Sequence, residues 1–385
     1  MVSIAFCPLV VDNAFHWTKL MPTRPATATQ RVARTAAPRG IEDAALLQAA
    51  EAVLRAHGVP ARREVTPGKA GNEAWLRVGE GRAAVRYAVE AARTLTQATL
   101  GGVLLRLRER AGKGLIAAGH VPPALAEALR ERGIAFVDLA GNAWLQQPGV
   151  MLQIAGRRPE KAARAERPAR VFHPGGLRVV FALLCRPELV DAPVREIAAA
   201  AGVAHGTADW VLRDLKKMGH IVELGRRPGA RGRARTRRLE RRGALIDLWT
   251  QAYPGQLRPG LAPRRFRAAK PGWWRGVDFA RYGLALGGEA AAERLTHHLK
   301  PESVTLYAAG GGERPVHQDH VLLKDPGGEV EILDAFWNFP PPAGLDGIAP
   351  PLLVYADLVA TGDDRCLEAA KLVHERYLAR PDGQG

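Results

Sequence analysis

Only three of the 385 residues are cysteine, Cys7, Cys185 and Cys366, and they stand far apart with no CxxC pair. Neither a disulfide framework nor a zinc site is implied, and a reducing cytoplasm is the compartment that fits. Long apolar runs are also missing: none approaches the roughly 20 residues a membrane span needs. Acid is scarce against base, with 39 Asp and Glu facing 55 Lys and Arg, a formal charge of +16. A chain with that excess and no span is expected to meet a polyanion, and double-stranded DNA is favoured over a membrane. There is no GxGxxG, no P-loop and no paired Asp-x-Asp for magnesium. The expectation is therefore no cofactor, no metal and no catalytic residue.

What is present is organised around Arg195–Gly219, REIAAAAGVAHGTADWVLRDLKKMG, which reads as two short helices joined by a glycine turn. Pro193 suits the opening turn of the first helix, and Gly202 supplies the left-handed residue that ends it. In the second helix Ala208, Val211, Leu212, Leu215 and Met218 fall on one side, and Gly206, Trp210, Arg213 and Lys217 on the other. Leu177, Val180, Phe181 and Leu184 carry the i, i+3, i+4, i+7 spacing of a supporting helix. Behind the pair, residues 226–242 hold nine arginines and a single acid, Glu240, a local balance of +8. With Pro228, Gly229 and Gly232 between apolar segments His220–Leu224 and Leu239 onward, this is the layout of a winged helix-turn-helix: the second helix in the major groove, the wing along phosphates.

In chain order, residues 1–40 lack a helix or strand period and a basic n-region. They read as a disordered tail, from an upstream start codon, and not as a signal peptide. Residues 41–156 read as an α/β domain, with a helix over 41–57, strands at 74–78, 83–90, 115–118, 134–139 and 150–155, and helices over 95–111 and 123–132. This order resembles the core of the PD-(D/E)xK nucleases. Glu90 stands where that family has its Glu, but Ala92 occupies the Lys position, Arg93 lies just beyond, and the preceding strand offers Arg77 and no carboxylate. One carboxylate does not make a two-ligand metal site, so the domain is a nuclease-like scaffold without the active site, or an unrelated α/β domain. In DLAGNAWL, Asp138, Gly141 and Asn142 serve a ligand at a strand's carboxyl end or, more simply, a turn.

Residues 157–170 form a basic, proline-containing linker, and the winged helix-turn-helix domain spans 171–253, closed by a helix over Ala244–Tyr253. A C-terminal α/β domain is expected over 264–380. There Gly287-Gly288 reads as a helix start in preference to a nucleotide turn, 304–308 and 330–333 as strands, 352–360 as a buried strand or helix, and 364–378 as a helix. His297-His298, Asp357 and Asp363-Asp364 form no recognisable acid–base or metal pattern.

Four stretches together resemble the AbiEi family of antitoxins: DLAGNAWL at 138–145, residues 176–219, GGEAAAERL at 287–295 and PLLVYADLVATGDDR at 351–365. The resemblance covers roughly residues 44–380. It implies a transcriptional regulator of a type IV toxin–antitoxin system of the abortive-infection kind, repressing its own operon. The toxin would be nucleotidyltransferase-like and countered without a stable complex. Two departures stand out: Ala204 replaces the usual Ser or Thr N-cap of the second helix, at a cost of about 1 kcal/mol, and the wing is unusually rich in arginine.

The residues expected on DNA are His205, Gly206, Thr207, Trp210, Arg213 and Lys217 of the second helix. Wing residues Arg226, Arg227, Arg231, Arg233 and Arg235 are expected on phosphates. Arg213 is the candidate for a guanine, whose O6 and N7 match a guanidinium fork. Trp210 reaches DNA or packs on a neighbouring element. A homodimer would suit an inverted operator, although no stretch marks an interface. Two other functions remain open, a nuclease acting through Glu90 and a protein-binding adaptor with accessory DNA binding.

Overall fold

The computed structural model describes residues 39–68, 71–158, 170–226, 235–309 and 313–379. Residues 1–38 of the expected tail, most of the linker and wing residues Arg227, Arg231 and Arg233 lie outside them, while Arg39 and Gly40, expected in the tail, open the first helix. Helix α1 (Arg39–Ala56) turns Leu46, Leu47, Ala50 and Leu54 inward onto a sheet. That sheet contains β1 (Ala61–Gly68), β2 (Gly71–Val78), β3 (Val85–Ala92), β4 (Lys113–Ala118), β5 (Ala135–Asp138), β6 (Ala143–Gln147) and β7 (Val150–Ile154), side by side in chain order. Helices α2 (Gln97–Arg108) and α3 (Pro123–Glu131) interrupt the run. They carry the chain between β3, β4 and β5, which are parallel, while every other pairing is antiparallel. Only a parallel step needs such a crossover.

The strand period of two divides this sheet's residues between two cores. Leu115, Ala117, Val137 and Leu145 face α1, whereas Ile116, Ala118, Phe136 and Trp144 belong with α2 and α3 to a larger core that continues to Leu378. Strands β1 and β6 were absent from the sequence reading: Arg62, Arg63 and Glu64 mask an apolar period in β1, and β6 occupies the second half of DLAGNAWL.

The central elements are α4 (Pro174–Cys185), α5 (Val194–Ala201), α6 (His205–Lys217), a hairpin of β8 (Ile221–Arg226) and β9 (Arg235–Leu239), and α7 (Arg242–Gln256). A second sheet follows, built from β10 (Arg264–Ala268), β11 (Leu284–Gly287), β12 (Val304–Ala308), β13 (Leu322–Lys324) and β14 (Val330–Asp334) in the order β11-β12-β14-β10-β13. Of its pairings β12 with β14 is parallel. Helices α8 (Gly288–Thr296), α9 (Glu313–His320), α10 (Pro351–Thr361) and α11 (Asp364–Val373) complete the described chain. The architecture is mixed α/β with several sheets, and the segment left open as strand or helix, 352–360, is helical.

Helix α2, though it belongs to the first sheet, packs on α7 and α10. The contact depends on Gly101, where an added Cβ would overlap the carbonyl oxygen of Val359 in α10. Gly101→Ala is expected to lower unfolding free energy by about 2 kcal/mol, the size of an overpacking penalty. Gly243→Ala, at a helical site with open space around it, should be neutral or gain up to about 1 kcal/mol. Urea denaturation of both variants checks the contrast.

Candidate nucleic-acid interface

Helix α5 ends at Gly202, which holds φ 61° and ψ 42° as its left-handed cap, and α6 starts three residues later. Ala208, Val211, Leu212 and Leu215 of α6 are buried, and together with Ile197, Ala198 and Ala201 of α5 they pack toward α4. On the outward side His205, Gly206, Arg213, Lys216 and Lys217 are exposed. The sequence reading had passed over Lys216, whose neighbours at i−4 and i−1 place it between the two faces. Thr207 is half-buried, with its methyl group against Gly175 in the first turn of α4. Trp210 is half-buried too, under the guanidinium of Arg170 at 4.4 Å from the ring centroid. Ala204 caps α6 with no side-chain hydrogen bond.

The cations of this face have anionic neighbours. Arg213 pairs with Asp209 at 2.6 Å, Lys217 with Asp214 at 3.6 Å and Lys216 with Glu223 of β8 at 2.8 Å. Surface pairs of this kind contribute little, so a phosphate or base can replace the carboxylate at small cost.

The hairpin runs from Ile221 opposite Leu239 to Arg226 opposite Arg235, with an irregularity between Leu224 and Arg226. Arg226 and Arg235 thus stand at its far end. Other members of the arginine run have internal duties. Arg237 donates its backbone N–H to Asp191 Oδ1 at 2.9 Å and its guanidinium to the carbonyl of Ala192, tying β9 to the start of α5. Arg238 reaches Glu240 at 2.7 Å, and Arg242 donates to the carbonyls of Leu378 and Leu184. Spacing along the chain does not distinguish these from arginines free for phosphate.

The helix pair is also held from the second sheet. After β14 the chain runs Phe336-Trp337-Asn338-Phe339 across α4 and α5. Phe336, Trp337 and Phe339 surround Phe181 of α4 with ring centroids at 4.8, 5.9 and 5.9 Å. Asn338 donates its backbone N–H to Ala200 at 2.9 Å and its side-chain amide to Ala199 at 3.3 Å. Those two carbonyls lie in the last turn of α5, where helix acceptors run short of internal partners, and Ala199 accepts from the Gly202 N–H at 3.2 Å as well.

Beneath this strap lies a buried polar cluster. The Tyr307 hydroxyl donates to Asp357 at 2.8 Å, Tyr253 lies 2.8 Å from Tyr307 and 3.1 Å from Asp357, and Arg258 approaches Asp357 at 3.6 Å while pairing with Glu331. Burial pushes both phenols well above their ordinary value, and the Asp357 carboxylate adds to the effect. Burial also raises the Asp357 carboxyl, opposed by Arg258 and the two phenols. The aspartate that sequence reading left without a role therefore organises a core of α7, β12 and α10.

The other singled-out residues are accounted for locally. Glu90 pairs with Arg106 and, at 3.4 Å, with Arg110. Asp138 is buried and accepts from the Asn142 backbone N–H and amide, both at 2.8 Å, which is turn chemistry, and from the Val121 N–H at 3.0 Å, with His120 Nδ1 at 3.1 Å, which joins it to the segment before α3. His297 is the left-handed cap of α8, and His298 approaches Glu368 at 3.7 Å. Among the described residues no group of three or more His, Cys, Asp or Glu is placed to hold a metal, and no helix is long and apolar enough to cross a membrane.

With this geometry in place, comparison with known families gives a class for the C-terminal part: transcriptional regulators of toxin–antitoxin systems. Residues 238–379 match the model described as transcriptional regulator, AbiEi antitoxin, type IV toxin–antitoxin system. The family resemblance read from sequence is borne out there. The match begins inside β9, so α5, α6 and β8 lie before it. No curated protein and no solved structure matches the chain.

The buried phenols give the fold an alkaline limit. The unfolded chain releases phenolic protons from about pH 10 upward, while the folded chain retains them on Tyr253 and Tyr307. The folded state then binds more protons than the unfolded, and stability falls as pH rises through that region. Thermal melts at successive pH values should show a decline above about pH 10 that is shallower in Tyr307→Phe.

Proposed function

We propose that the chain is a DNA-binding repressor acting as the antitoxin of a type IV system. In this reading residues 171–253 form a winged helix-turn-helix between an N-terminal α/β part, 41–156, and a C-terminal antitoxin part, 264–380. One observation carries it: α6 has a buried apolar face and an exposed basic face, directly beside a hairpin whose far end is arginine. The family match over 238–379 supports the regulator and antitoxin roles. Following the resemblance, the DNA is the operator of the chain's own operon, in an abortive-infection context in the cytoplasm. The functional partner is a nucleotidyltransferase-like toxin opposed without stable contact.

Arg213 and Lys217, exposed and engaged only in surface pairs with Asp209 and Asp214, take the base and phosphate contacts, with His205 and Gly206 at the uncapped helix start, where amides and dipole favour a phosphate. Arg226 and Arg235 track the backbone. Thr207 and Trp210, half-buried against Gly175 and Arg170, position the helix more than they read bases. A homodimer would place two such helices on an inverted repeat. The chain has no catalytic role in this reading, since Glu90 is engaged by two arginines. The nuclease alternative requires metal-dependent cleavage of plasmid DNA that Glu90→Ala abolishes.

Binding to the DNA upstream of the gene, against scrambled DNA of equal length across a salt series, is expected to show a preference of about 10³-fold or more. Equal affinity for both would overturn the repressor reading. Arg213→Ala should cost about 1–3 kcal/mol on upstream DNA and much less on scrambled DNA. Replacing Arg226 and Arg235 together by Ala should weaken both DNAs alike and reduce the salt slope by about 2.

A further inference from the structure

The strap that holds α5 is also the wall of a cavity. A hollow of about 540 Å³ opens at the carboxyl ends of the parallel strands β12 and β14, between residues 335–341 on one side and 346–348 on the other. Ligand sites in α/β sheets favour this end of parallel strands, and the volume suits a small organic molecule. Half-buried Trp337 and Phe339 supply aromatic walls beside Ile348, Tyr307 being fully buried, and the polar side chains at the rim are Asn338 and Asp346, both exposed. Among the described residues lining it, Asp346 is the one that carries a charge. In a chain of net charge +16, the one lining charge is negative, which suits a donor-bearing ligand better than an anion. Aromatic walls take a planar ring, the Asp346 carboxylate accepts from an amino group, and the Asn338 amide both donates and accepts.

We propose that this cavity is an effector site for a planar, amino-substituted nitrogen heterocycle of nucleoside size, and that its occupancy changes affinity for DNA. The coupling part rests on the function proposed above. Its physical route is short. Trp337 lines the cavity and lies 5.9 Å from Phe181 of α4, between ring centroids. Asn338 lines the cavity and donates to the last turn of α5, and a Cβ on the turn residue Gly202 would come within 3.3 Å of its amide nitrogen. A ligand that engages Trp337 and Asn338 acts on residues that contact α4 and the last turn of α5. Such a ligand shifts DNA affinity by its differential affinity for the two arrangements, and DNA shifts ligand affinity by the same factor.

The full chain is titrated calorimetrically with cytidine, uridine, adenosine and inosine, pairs that differ in an exocyclic amino group against a carbonyl. Cytidine or adenosine should bind with Kd below about 1 mM and at least about fivefold tighter than its partner, a difference near 1 kcal/mol. Asp346→Asn should remove that preference, and Ile348→Trp, which sets a bulky ring in the cavity wall and leaves the strap residues in place, should weaken binding at least about tenfold. No binding by any of the four, or binding unchanged in both Asp346→Asn and Ile348→Trp, overturns the site. In the second arm, saturating nucleoside should change affinity for upstream DNA at least about fivefold, the lower end of allosteric couplings, with the effect lost in Asn338→Ala. Unchanged DNA affinity overturns the coupling while leaving the site. Absence of DNA binding altogether overturns the proposed function and the coupling with it, and the calorimetry still decides the site.

Discussion

The arrangement of the central helices depends on a cluster of aromatic rings centred on Phe181. Trp249 of α7 stacks on it at 5.1 Å, Tyr253 follows at 4.9 Å, and Phe336, Trp337 and Phe339 close the other side. Aromatic residues make up only 6% of the chain, so concentrating them here is a choice of place. Each ring buries a large area with few rotatable bonds, and offset or tilted pairs add a further ~0.5–1.5 kcal/mol apiece. The helix pair is short, and short helices are marginal by themselves. Its orientation comes from this cluster and from the two Asn338 hydrogen bonds.

The two ends of the proposed interface are fixed differently. Helix α6 is set by a packed apolar face, while the hairpin is set by polar ties at its base, Arg237 to Asp191 and Ala192. Arginine has two uses in one short stretch, as a clamp on backbone oxygen and as charge facing outward. A guanidinium suits both because it is planar, always charged and carries five donors.

Much of this was legible in sequence, for reasons that can be named. Helix α6 announced itself because burial on one side writes a 3.6-residue period, and Gly202 because few other residues adopt φ 61° without strain. The buried strands 115–118 and 135–138 were legible as short apolar runs. Other features were not. Strand β1 hid behind Arg62, Arg63 and Glu64, since an edge strand with one wet face need not look apolar. The partners of Asp357 lie on α7 and β12, so no local pattern joins them. The strap over α5 was invisible because its contacts are with residues more than a hundred positions away. The family segment was readable over 238–379, whereas the helix pair before it rests on periodicity and geometry.

The closeness of Gly101 to Val359 has a consequence for how the molecule comes into being. The two residues are 258 positions apart, so during synthesis the first sheet emerges long before the helix that covers α2. Until then α2 has α7 but not α10 to pack on, and the side of α2 that α10 will cover faces water. A nascent chain halted before α10 therefore shows apolar surface of the sort chaperones and proteases act upon. The close fit makes the amount of mature protein sensitive to completion of α10, and ties the fate of the first sheet to a helix made long after it.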